Sequence, residues 1–219
     1  MNEVPGDMPP RRPPRRQREP AGTAGTAVVP EPGWYTGPMH ADVDRVLVTR
    51  ERIATRVREL AAEISRDLTS LAPGTEVVLM PVLTGSMIFV ADLIRELPHK
   101  IRLDVITVSS YPGKSTTSQG PVLRSNLPED LHDKHVIIVD DILDSGQTLA
   151  TIRAALHDRE PAGVQACVLL RKTIDVALAT PCEYIGFDIP DEFVVGYGLD
   201  YDHYYRNLPE IVTLKSDAL

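Results

Sequence analysis

From residue 49 onward the chain switches between two kinds of apolar pattern. Ile53, Val57, Leu60, Ile64, Leu68 and Leu71 recur at spacings of three and four, which predicts a helix starting near Thr49 with one apolar face. Residues 77–83 form a continuous apolar run, the pattern of a strand covered on both faces. Residues 86–97 return to a helical pattern, and 101–108 resume as a strand with partial alternation. HVIIVD, residues 135–140, predicts a further buried strand; Leu149, Ile152, Ala155 and Leu156 predict a helix over 147–157, and 164–170 another strand. Strands alternating with helices at this spacing imply crossover connections, hence an α/β fold whose mainly parallel sheet is flanked by helices. Ligands of such sheets bind just beyond the carboxyl ends of the strands. No repeat of solenoid period is present.

Two stretches fall outside this alternation. YPGKSTTSQGP, residues 111–121, is polar and exceeds the usual connection of about 4–6 residues, so it reads as a lid. The first 38 residues set Arg11, Arg12, Arg15, Arg16 and Arg18 among prolines and continue as AGTAGTAVVPEPG. Such a segment buries too little apolar surface to offset its ordering entropy, which predicts a disordered tail over 1–38 and one domain over 39–219. Glu3, Asp7 and Glu19 dilute the arginine charge and argue against a nucleic-acid or membrane arm.

Composition narrows the function classes. With 219 residues, 42% of them hydrophobic, the chain can bury one sizeable core. The formal charge of −8 opposes a broad nucleic-acid surface, so a polyanionic partner must be held locally. Two cysteines, Cys167 in an apolar run and Cys182 after a proline, read as packing residues and give neither a disulfide framework nor a thiolate metal site. No apolar stretch approaches the roughly 18 residues that span a bilayer, and the first 30 residues lack a secretory apolar core. The expectation is a soluble, cytoplasmic protein without membrane or nucleic-acid partners.

The most informative segment is VIIVDDILDSGQTL, residues 136–149. A strand runs into Asp140 and Asp141, and DSGQT then enters a helix. Glycine permits a tight turn, and the amides and hydroxyls of Ser145, Gly146, Gln147 and Thr148 sit at the positive end of the helix dipole, which makes a phosphate cradle. It is neither a Walker loop nor a dinucleotide fingerprint, because G-x-x-x-x-G-K-[ST] and G-x-G-x-x-G are both missing. Two adjacent carboxylates beside a phosphate site repel it unless they accept hydroxyl hydrogen bonds or hold a divalent cation. A ribose 5-phosphate meets both needs, with its phosphate in the cradle and its 2- and 3-hydroxyls on the acidic pair.

Here the sequence resembles the type I phosphoribosyltransferases, and within them the hypoxanthine-guanine phosphoribosyltransferase family. The resemblance covers roughly residues 41–215; its markers are the acidic pair with D-[ST]-G-x-T, SSYPGKSTTSQG, LLRKT and FDIPDEFVVGYGLDYDHYYRNLP. It implies the type I fold with a small hood and a flexible lid loop, in a homo-oligomer of two or four copies. The implied activity is transfer of the 5-phosphoribosyl group from magnesium-bound phosphoribosyl pyrophosphate to a 6-oxopurine. By the same resemblance Asp140 and Asp141 bind the ribose hydroxyls and contribute to the Mg2+ site together with Asp200. Asp144 becomes the general base for the purine N7 proton, while Ser145, Gly146, Gln147 and Thr148 hold the 5-phosphate. Lys172 donates to the 6-oxygen, Phe193 and Ile142 stack on the two faces of the base, and Val194 pairs with it through its backbone. Arg206 and the loop Thr84–Gly85 contact pyrophosphate, and Ser110 and Tyr111 open the lid. Family members often carry a basic residue where this chain has Thr84, so one positive charge near the leaving group is missing here.

The sequence opposes three other readings. A regulator that senses the sugar donor without catalysis should carry a nucleic-acid-binding element, and the tail is too short and irregular for a helix-turn-helix. An orotate or adenine enzyme of the same fold is opposed by Lys172, a donor facing a 6-amino group. An aspartyl phosphatase would want D-x-D after its strand, which is absent.

Overall fold

A computed structural model describes residues 38–109 and 121–219. The expected tail therefore lies outside the described residues up to residue 37, and so do Ser110, Tyr111 and the lid expected over 111–121, but for residue 121.

Helix α1 (Pro38–Ala41) and strand β1 (Val43–Val48) lead into helix α2 (Arg50–Thr69). Thr49 caps α2, its Oγ1 accepting from the Arg52 N–H at 3.4 Å. Ile53, Val57, Leu60, Ile64 and Leu68 are all buried along the inner stripe of α2, each contributing roughly 1.5–3 kcal/mol. Leu60→Ala would remove contacts at a fully enclosed site and cost about 2–5 kcal/mol.

The main sheet follows from strands whose two faces are both apolar. Strand β2 (Val77–Leu83) sends Val77 and Leu79 to one side, against α2 and helix α3 (Met87–Glu96). Val78, Met80 and Val82 point to the other, against Leu149, Ile152 and Leu156 of helix α4 (Gln147–His157). Strand β6 (His135–Leu143) divides Ile137 and Val139 from Val136 and Ile138 in the same way. Strand β7 (Gly163–Lys172) divides Cys167 and Leu169 from Ala166 and Val168. This is a three-layer sandwich, and the continuous apolar runs are its central strands. Both cysteines are free; Cys167 is enclosed in one core and Cys182 packs at the edge of the other, where burial first and the Glu183 carboxylate second push its thiol pKa up to about 11.

Four elements differ from the reading of the sequence. The strand expected over 101–108 is two, β3 (Ile101–Leu103) and β4 (Ile106–Ser109), both paired with β2. The Asp104 N–H donates to the Leu79 carbonyl at 3.0 Å and sets the bend between them. Strands β6 and β7 run three and two residues further than their apolar cores, into the polar residues of the site. Short strand β5 (Val122–Leu123), helix α5 (Asp175–Ala179) and strand β8 (Tyr184–Ile189) complete the main layer. Strand β9 (Ile211–Leu214) pairs antiparallel with β1 in a separate two-stranded sheet, the hood, with its own core of Val195, Leu208, Val212 and Leu214.

The sheet order is β5-β4-β2-β6-β7-β8, parallel except for β5. From β2 the chain moves outward to β4 on one side, whereas from β6 it moves outward to β7 and β8 on the other. The carboxyl ends of β2 and β6 thus flank the point where winding reverses, where a crevice opens. Arg56 of α2 covers the β8 edge, its guanidinium donating to the Gly186 and Ile185 carbonyls at 2.9 and 2.8 Å.

Candidate active site

A cavity of about 640 Å³ opens at that crevice. The turn after β2 supplies Thr84 and Gly85, and the hood side supplies Asp200, His203 and Arg206. The end of β6 and the start of α4 supply Asp140, Asp141, Ile142, Asp144, Ser145, Gly146 and Thr148. The structure thereby gathers eleven expected site residues from three separate segments. Lys172 lies beside the cavity and reaches it through Asp144; Gln147 is exposed on the first turn of α4, Val194 is buried, and Phe193 is about half exposed.

The fit between β2 and β6 is close enough to require glycine. A Cβ on Gly85 would stand 1.6 Å from the Asp141 Oδ2. The Leu83–Thr84 peptide that precedes it is cis. On the hood side, a Cβ on Gly198 would stand 2.1 Å from the Gly85 carbonyl oxygen, so segment 196–206 rests directly on the 84–85 turn.

Asp140 is only 6% exposed. Burial first, then the adjacent Asp141 charge, pushes its carboxyl well above the usual range, although it accepts the Asp141 N–H at 3.0 Å. Burial also raises Asp141, opposed by its hydrogen bond with Asp140, by the Ile142 N–H at 2.8 Å and by the Arg206 charge. Two such groups side by side favour an occupant that brings hydroxyl donors or positive charge.

The turn into α4 forms where the sequence places it. Gly146 takes φ +73 at the N-cap of α4, and a Cβ there would meet the Thr180 Oγ1 at 2.3 Å. The first-turn N–H groups of α4 have no partner within the helix, and Ser145, Gly146 and Thr148 at its positive end line the cavity.

At the other wall Lys172 ends β7 and its ammonium bridges Asp144 at 3.0 Å and Asp191 at 2.8 Å. Arg206 binds Asp200 at 2.7 Å and donates to the Gly198 carbonyl at 2.6 Å; the second Asp200 oxygen accepts the His203 N–H at 2.9 Å. Phe193 meets Tyr201 edge to face, centroids 5.6 Å apart at 81°. Asp191 and His203 were missed by sequence reasoning: an aspartate after a strand and a histidine in a polar hairpin carry no signal until the fold juxtaposes them with Lys172 and with the cavity. Among the described residues no cluster of three or more His, Cys, Asp or Glu could hold a metal alone, and no helix is long and apolar enough to cross a membrane.

Comparison with known proteins agrees with this geometry. Residues 47–202 match the family described as "Phosphoribosyl transferase domain". The chain is 43% identical over 176 residues to the hypoxanthine-guanine phosphoribosyltransferase of Mycobacterium tuberculosis, covering 79% of this chain and 87% of that one. It is 44% identical over 167 residues to the hypoxanthine phosphoribosyltransferase of Escherichia coli, covering 76% and 92%. Among solved structures it resembles a hypoxanthine phosphoribosyltransferase from Staphylococcus aureus, with TM-score 0.75, 38% identity and coverage of 83% of this chain and 97% of that one.

Proposed function

We propose, for a chain that belongs to the phosphoribosyl transferase family, that it transfers the 5-phosphoribosyl group of phosphoribosyl pyrophosphate to hypoxanthine and guanine, in purine salvage. One observation carries the reading: the acidic pair Asp140–Asp141, the turn into α4, and Asp144 with its partner Lys172 behind it meet at one crevice at the point where the sheet reverses.

In this reading the first turn of α4 holds the 5-phosphate, and Asp140 and Asp141 accept the ribose 2- and 3-hydroxyls, relieving two carboxylates that burial disfavours. Breaking the bond from C1 to pyrophosphate builds positive charge on the sugar and negative charge on the leaving oxygen. Arg206 and the 84–85 turn face the leaving group. As purine N9 attacks C1, N7–H grows acidic, and Asp144 takes that proton while Lys172 donates to the 6-oxygen. Phe193 and Ile142 flank the base, Val194 pairs with it through its backbone, and Ser110 and Tyr111 close over the reacting centre to exclude water.

Magnesium fits this donor set. Mg2+ keeps several waters and takes one or two carboxylates plus substrate phosphates, so a cage of protein ligands is not needed. Asp200, and Asp140 with Asp141, would hold it, and when bound it would neutralise charge on the pyrophosphate oxygens. The same reading places the enzyme in the cytoplasm as a dimer or tetramer, which size-exclusion chromatography with light scattering measures.

The deciding assay is direct. Purified protein, magnesium and phosphoribosyl pyrophosphate are incubated with hypoxanthine, guanine, xanthine, adenine and orotate in turn, and product spectra are followed. Nucleotide formed from hypoxanthine and guanine supports the reading; product from adenine or orotate alone would replace it.

A further inference from the structure

The cavity is poor in positive charge. Asp140, Asp141, Asp144 and Asp200 are four carboxylates in its lining, and Arg206 is the one arginine or lysine there among the described residues. Arg206 is already committed to Asp200 and to the Gly198 carbonyl, and Thr84 offers the leaving group a hydroxyl rather than a charge. The remaining side-chain nitrogen donor in the lining is His203.

Its backbone is held in an unusual way. Tyr201 and Tyr204 exchange N–H···O bonds at 3.3 and 2.9 Å, closing a two-residue turn over Asp202 and His203. Those two residues take φ +47 and +71. Positive φ at both central positions is the type I′ turn, which Asn-Gly or Asp-Gly fills at least cost. An Asp-His pair is strained there, and strain of this kind persists where the surroundings impose it and function uses it. Asp200 fixes the turn by accepting the His203 N–H, while the imidazole has no hydrogen bond or ion pair among the described residues. The segment carrying the turn is the one pressed against the 84–85 loop through Gly198 and Gly85.

We propose that His203 is a pyrophosphate-binding residue, its imidazole donating to an oxygen of the leaving diphosphate and supplying the side-chain nitrogen donor that position 84 does not. The inference rests on the assignment of this cavity to phosphoribosyl transfer. Base recognition, which occurs at Lys172, is independent of it.

His203→Gly is the informative variant, because glycine fits the left-handed position and removes only the imidazole. Isothermal titration of magnesium pyrophosphate into the wild type and His203→Gly measures the contact without turnover. The expected result is about five- to tenfold weaker binding in the variant, at an unchanged or higher Tm. The Michaelis constants for phosphoribosyl pyrophosphate, and for pyrophosphate in the reverse reaction, should rise to match while that for hypoxanthine stays put. Adding Thr84→Lys to His203→Gly should restore pyrophosphate affinity from the 84–85 turn. Equal affinity for pyrophosphate in wild type and His203→Gly, or a hypoxanthine constant that moves as far as the donor's, overturns the proposal. A wild type that binds pyrophosphate tightly through His203 yet transfers to no base would instead refute the transferase reading and leave the contact standing.

Discussion

Lys172 Nζ lies 3.0 Å from the Asp144 carboxylate, so the group read as donor to the base and the group read as acceptor of its proton hold each other before the base arrives. The lysine is mostly buried, and desolvation alone would lower its pKa. Hydrogen bonds to Asp191 and Asp144 outweigh that, and the net shift is upward, so the ammonium persists through neutral pH. Lys172→Ala should raise the Michaelis constants for hypoxanthine and guanine by roughly 10- to 100-fold, the worth of a charge-assisted hydrogen bond. The donor constant should change little, and discrimination against adenine should shrink. Steady-state rates with each substrate varied in turn check this, and a shift confined to the donor would remove Lys172 from the base site.

Asp191 is the second anchor of that ammonium at 2.8 Å, and in the proposed reading it would position the lysine while Asp144 serves the base. Asp191→Asn should raise the hypoxanthine constant by about three- to tenfold, less than Lys172→Ala does. In the double variant the two effects should not add, because each removes the same contact. Additive losses would mean that Asp191 acts elsewhere.

How far the sequence carried depended on whether each feature was local. The helix over 50–69 and the central strands were legible because their periodicity is an intrinsic signal, and the turn at 144–148 because glycine, hydroxyls and a helix start lie within five residues. The split at Asp104 was not legible: it depends on a hydrogen bond to the Leu79 carbonyl, a contact between strands. Nor was the hood sheet, since VDRVLV finds its partner only at residues 211–214, across the whole domain. The pairing of Lys172 with Asp191 follows from β7 and β8 ending side by side. Spacing along the chain shows none of these.

Gly85→Ala tests the closeness of the two strand ends. Its methyl would stand 1.6 Å from the Asp141 Oδ2, so Asp141 or the turn must move. Misplacement of about 1 Å at such a site costs on the order of 10²-fold in rate. The expected outcome is that loss in kcat/KM for the donor with far-ultraviolet circular dichroism unchanged. Near-normal kinetics would show that the turn and Asp141 are free to separate.

Asp140 gives a pH prediction. Its folded carboxyl is held well above the ordinary range, by burial first and by Asp141 second. A carboxyl with a raised folded pKa binds its proton more tightly in the native state, so its contribution to stability is most favourable below the unfolded value of about 4 and is lost as pH rises toward the raised value. Asp140→Asn should therefore raise the Tm of the unliganded protein at pH 7–8, by about 2–4 °C for each kcal/mol of relieved strain. The gain should shrink toward pH 5. Thermal melts across that range decide it, and a gain that grows on acidification contradicts the assignment.

The sharpest test concerns Asp144, which follows the acidic pair, precedes the turn into α4 and meets Lys172, an order that in the proposed reading would put its carboxylate between the sugar and the incoming base. Asp144→Asn keeps the size of the side chain and most of its hydrogen bonds but cannot take up a proton as a carboxylate does. Turnover with hypoxanthine should fall by about 10²–10⁴, and donor binding measured by isothermal titration should change little. Asp140→Asn is the comparison: by the proposed assignment to the ribose hydroxyls it should weaken donor binding as well as slow the reaction. The exposed Asp144 carboxylate also neutralises Lys172, so Asp144→Asn should leave the ammonium with Asp191 alone and alter base affinity only a few-fold. A large fall in turnover with small changes in both affinities is the pattern that general-base catalysis requires, and near-normal turnover of Asp144→Asn would sink the role, whatever the other variants show.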